Sequence, residues 1–189
     1  MHPLSGELRS KNLMNKNLKQ IQSTVFSFLG TALEVTSPIQ SLHTFSTEDA
    51  PVSTGSSGNL YPICGISPLV SPSKEATPAF FSLIETGQKD YEYLLLLNPV
   101  ITGVTPIYSP VPASGSVGAA LSTPGDTVLS YDRYAFGGYT KGGAAAGETK
   151  ISLPPSEPLA PGDSLWLCAR SFANNADFLG SLSWTEQEG

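Results

Sequence analysis

Residues able to do chemistry are few in this chain and widely spaced. Only two histidines, His2 and His43, and two cysteines, Cys64 and Cys168, occur among 189 residues. A Ser-His-Asp or Cys-His relay needs a histidine held within reach of its nucleophile and oriented by a third group. His2 lies in a polar arm and His43 in a stretch rich in Ser and Thr, and neither reads as rigid support. Zinc would need four ligands drawn from these scattered residues, with no paired spacing among them. Each cysteine sits in an apolar, strand-like context, where a free thiol behaves as a small hydrophobe. A bridge between them stays open, because sequence alone does not set their separation. With both thiols reduced, the chain reads as one folded inside a cell.

Carboxylates offer a second chemistry. Glu85, Asp90, Glu92, Asp126 and Asp132 could in principle supply a facing glycosidase pair or a calcium cage. Most fall at expected turns or strand ends, where Asp is favoured for backbone bonding and solvation. Residues 137–147 carry Lys141 among several glycines but lack the G-x-x-x-x-G-K-[ST] order of a phosphate loop. They read as a flexible loop or a place of close backbone approach. The expectation is a non-enzyme without cofactor or metal. The remaining option is aromatic: Tyr131, Tyr134, Phe136 and Tyr139 fall within nine residues. They suit a stacking platform for sugars, a core, or a contact between subunits.

The elements that would carry these residues are strands. Eighteen glycines and sixteen prolines interrupt the chain too often for long helices, and the Ser, Thr, Val and aromatic content suits strands joined by turns. Residues 178–185 alternate, with Phe178, Gly180, Leu182 and Trp184 on one face. Residues 164–170 are apolar on both faces, as in a central strand covered on each side. With Asn174, Asn175 and Asp177 between them, the two read as a closing hairpin. A second hairpin is expected from residues 79–86 and 91–97 across the turn Gly87-Gln88-Lys89-Asp90. Its four leucines, 94–97, imply a strand covered on both faces or a subunit contact. Residues 36–58 read as a long connection. The whole predicts an all-β fold, a jelly-roll-like β-sandwich of about eight to ten short antiparallel strands over residues 25–189.

Residues 1–24 form an extended N-terminal arm of different character. They carry Arg9, Lys11, Lys16 and Lys19 against Glu7, whereas the whole chain has a net charge of -6. Met14, Leu18 and Ile21 make one thin helical stripe there, too narrow to hold a helix alone. An acidic body with few Lys and Arg argues against nucleic acid as a partner. No stretch approaches the roughly 18 apolar residues that cross a bilayer, so no membrane partner is expected. The short apolar run at residues 25–33 lacks a convincing cleavage site and does not read as a secretory signal.

Two segments carry a family likeness. Asp90-Tyr91-Glu92-Tyr93, the leucines 94–97 and Asn98-Pro99 form the first; the second runs from Ser164-Leu165-Trp166-Leu167-Cys168-Ala169-Arg170 through Asn174 to Trp184. Both resemble segments of structural proteins of tailed bacteriophages, those of capsid surfaces, head fibres and tail appendages. The resemblance implies a β-sandwich that assembles on a virion, often as a trimer, after synthesis in the host cytoplasm. It further implies other virion proteins, such as the major capsid protein, as partners, and the terminal arm as the attachment element; within that arm the helical stripe Met14, Leu18 and Ile21 supplies the candidate contact residues. It brings no catalytic residues, and leaves head and tail open. Leu94, Leu96, Tyr134 and Tyr139 are the candidate interface of a homo-oligomer. The alternative is a tail, neck or receptor-binding appendage with a carbohydrate-binding sandwich.

Overall fold

The computed structural model describes residues 40–188, apart from 48–49, 70–73, 104, 112–115, 143–148 and 155–156. The arm with Met14, Leu18 and Ile21, and the apolar run at residues 25–33, lie outside the described residues. Among the described residues there are thirteen strands and no helix. In chain order they are β1 (Gln40–Ser46), β2 (Val52–Ser53), β3 (Tyr61–Pro68), β4 (Lys74–Glu85), β5 (Tyr91–Leu97), β6 (Val100–Ile101) and β7 (Ser109–Pro110). There follow β8 (Val117–Leu121), β9 (Val128–Ser130), β10 (Arg133–Thr140), β11 (Thr149–Ser152), β12 (Leu165–Ser171) and β13 (Asp177–Glu188). Nine of these have four or more residues, within the range expected from the sequence.

One sheet runs in the order β1-β13-β4-β11, with β2 also paired to β13; a second runs β10-β5-β12-β3-β8-β7; β6 and β9 form a separate ribbon. Every pairing is antiparallel. Four of the pairings nest inside one another along the chain: β5 with β10, β4 with β11, β3 with β12, and β1 with β13. The outermost brings Gln40 opposite Gln187. The main core lies between the sheets and includes Ile63, Ile66, Phe81, Leu83, Leu95, Leu167, Phe178, Leu182 and Trp184. As the alternation predicts, Phe178, Gly180, Leu182 and Trp184 are all buried along β13.

Both expected hairpins are instead arches between sheets. β4 belongs to the first sheet and β5 to the second; β12 belongs to the second and β13 to the first. The cause is the different burial of the two strands in each pair. β4 and β13 have largely one-sided burial, whereas β5 and β12 are buried on both faces. The second sheet carries a second apolar cluster on its outer face, so the two-sided strands settle there, side by side. The two arches brace each other: Thr86 donates its N–H to the Asp177 carbonyl at 2.9 Å, and Phe172 donates to Asp90 at 3.1 Å. Lys89 Nζ donates to the carbonyls of Asn174 and Asn175. Asn175 takes the left-handed backbone that the turn composition implied, with φ 56°.

The outer cover of the second sheet comes from the chain between β5 and β10. A smaller buried cluster of Leu96, Ala120, Trp166 and Cys168 forms there, with Leu60, Leu94, Ile101, Tyr108 and Val128 packed against it. Trp166 donates its indole N–H to the Tyr108 hydroxyl at 2.7 Å. The leucine run is thereby explained: Leu95 and Leu97 meet the main core, Leu94 and Leu96 the smaller one. Residues 36–58 are not a plain connection, because β1 within them is an edge strand of the first sheet. Its sparse apolar content fits that position, and Thr44 Oγ1 bonds Ser183 Oγ across the ladder at 2.8 Å.

Candidate functional site

The register of the second sheet sets Tyr139 opposite Glu92, and Glu92 opposite Arg170, on three adjacent strands. These positions share a face with Leu94, Leu96, Trp166 and Cys168, because side chains alternate along each strand. They lie beyond the buried patch around Trp166, toward the arches. Arg170 donates from both Nε, at 2.8 Å, and Nη2 to the same carboxylate oxygen, Glu92 Oε2. Glu92 is almost buried, while the Arg170 side chain is 37 % exposed. The Tyr139 hydroxyl hydrogen-bonds the Glu92 carboxylate, and that bond and the carboxylate charge raise its pKa above the usual phenol value. Phe172, just past β12, stacks on the Tyr139 ring with centroids 6.0 Å apart and planes 22° from parallel. Even so, Tyr139 is 71 % and Phe172 53 % exposed.

Tyr134 is on the same face, half exposed, with its hydroxyl over Gly137. A Cβ at Gly137 would meet that hydroxyl at 2.5 Å and the Leu94 side chain at 2.7 Å, so this glycine marks a close approach. Of the four candidate interface residues, Leu94, Tyr134 and Tyr139 therefore share one face with access to solvent. Leu96 does not reach it: the side chain is fully buried beside Trp166 and offers no surface to a second copy.

Phe136 leaves the aromatic group for a geometric reason. A register shift between Tyr134 and Phe136 places Tyr134 opposite Leu96 but Phe136 opposite Leu95. The bulge turns Phe136 to the inner face, where it meets Phe81 edge-on. Phe172, Glu92 and Arg170 take its place. Sequence spacing could not place Phe172 beside Tyr139, because that contact depends on β12 and β10 flanking β5.

The other chemistry-bearing residues serve the fold. Glu85 accepts the Lys89 N–H at 2.6 Å within its arch. Asp90 accepts from Gly142 at 2.6 Å, Asp126 from Thr123 at 3.2 Å within its own turn, and Asp132 from Asn98 Nδ2 at 3.0 Å. His43 lies on β1, not in a linker; it stacks on Trp184 at 5.8 Å with its Nε2 3.7 Å from the buried Glu186. Trp184 Nε1 donates to the other oxygen of that carboxylate at 3.0 Å. Cys64 packs in the main core and Cys168 in the smaller cluster across the sheet, both as free thiols. Burial pushes the Cys64 thiol up to about 12 and Cys168 well above its ordinary value. No group of three or more His, Cys, Asp or Glu suited to a metal ion occurs among the described residues.

A polar groove of about 520 Å³ opens near the arches, lined by Ser53, Asn59, Thr127, Asn175 and Asp177. Its one aromatic, Tyr61, is buried, so it has no ring face to offer. Comparison with protein-family models, with curated proteins and with solved structures found no match to this chain.

Proposed function

We propose that this chain is a non-enzymatic structural subunit of a tailed-bacteriophage virion, assembling as a homo-oligomer on the capsid surface and attached through residues 1–24. The nested strand order carries this reading. With the chain between β5 and β10 set aside, β1-β13-β4-β11 faces β10-β5-β12-β3, an order that supports a jelly-roll reading, an architecture of viral capsid domains and lectins. The phage-like segments support it further, since both fall on the arches and their flanking strands.

Self-association is supported by the outer layer. Val100, Ile107, Leu129 and Tyr131 all lie between β5 and β10 and are exposed. So many large apolar side chains in one short insertion favour a protein contact over bare solvent. With Tyr134 at its margin, this layer is the surface offered to a second copy, and the resemblance to phage structural proteins makes a closed trimer the expected form. The test is mass spectrometry of purified particles together with light scattering of the isolated protein. Presence at capsid-lattice copy number and a multiple of 19.9 kDa are expected. Absence from particles overturns the virion reading, and a monomer at high concentration overturns the self-association.

A further inference from the structure

We propose that Tyr139 and Phe172, with Glu92 and Arg170 beside them, bind a neutral pyranose sugar. The inference goes beyond the virion reading and does not depend on it, since a sugar-binding domain could act on a particle or off one.

Three observations combine. Two stacked rings remain largely exposed on a sheet face whose neighbouring part is covered by its own insertion. The C–H face of a pyranose is apolar and close to a phenol ring in size, so stacking removes water from both. Next to the rings stands an ion pair whose carboxylate is nearly buried and whose guanidinium reaches solvent. Both Arg170 bonds fall on Oε2 of Glu92, short of the two-oxygen fork, so guanidinium and carboxylate both keep hydrogen-bonding capacity. A sugar hydroxyl over the ring can accept from the partly exposed guanidinium, which the buried carboxylate holds in place. Finally, the pair is neutral in sum and the chain carries -6, which disfavours sialic and uronic acids and selects uncharged sugars.

The test is saturation-transfer NMR on the full chain with cellobiose, lactose and chitobiose, each at about 10 mM, enough to detect a millimolar Kd. Transfer from aromatic protein protons to ring C–H protons of at least one disaccharide is expected. Tyr139→Ala and Phe172→Ala remove exposed side chains and should each weaken binding about 10-fold or more. Arg170→Lys keeps the charge but loses the planar donor fork, and should also weaken it. Leu42→Ala, on the first sheet, serves as the unchanged control. Thermal unfolding of each variant separates lost binding from lost fold. Silence from all three sugars, or binding that survives Tyr139→Ala in a folded protein, overturns the proposal. Neither outcome touches the particle and light-scattering tests.

Discussion

Gly65 is held to glycine by a neighbour: the Trp166 indole lies where its Cβ would stand. Gly65→Ala should therefore displace the ring from the smaller cluster and cost about 1–3 kcal/mol, read from urea unfolding. The buried thiols give a residue-scale prediction with a sign. An exposed thiol in the unfolded chain ionises near 8.5, while Cys64 in the fold holds its proton up to about 12. Through that window the unfolded chain binds fewer protons, so stability falls as pH rises and is fully retained below it. Alkaline unfolding curves of Cys64→Ala and Cys168→Ala should lose part of this slope, at most about 1.4 kcal/mol per pH unit for each thiol. The burial of both cysteines was legible from their apolar flanks. Their separation into two clusters was not, because that depends on which face of β12 and β3 each occupies.

At the scale of elements, strand existence was written in the chain and strand partnership was not. The turns Gly87-Gln88-Lys89-Asp90 and Asn174-Asn175 look like hairpin loops, yet each joins a strand buried on one face to a strand buried on both. That mismatch of pattern is itself the signal of a sheet switch, since hairpin partners share the same two environments. β1 is hard to read because an edge strand needs little apolar content, and which of the four aromatics turns to the core is set by a one-residue bulge that spacing does not reveal. The arch makes its own prediction. Asn175, at φ 56°, should tolerate Gly, whereas Asn175→Ala should cost about 1 kcal/mol in thermal unfolding.

For the whole molecule, the all-β sandwich was legible in the spacing of turns, but the third layer over the second sheet was not. Its residues, Val100, Ile101, Tyr108 and Val128 among them, read as further sandwich strands until the fold places them outside. Their exposed members predict the assembly state. A double variant, Ile107→Asp with Leu129→Asp, should remain folded by circular dichroism and scatter light as the 19.9 kDa monomer. A wild-type-like assembly in that variant would move the contact elsewhere. The nested ladder also has a mechanical meaning. Gln40 and Gln187 sit opposite each other at one end of an antiparallel pair, whose hydrogen bonds run perpendicular to the strands. Tension applied between those two points loads these bonds one after another, so the sheet edge peels at low force. A tether that pulled on only one of the two would spare that seam.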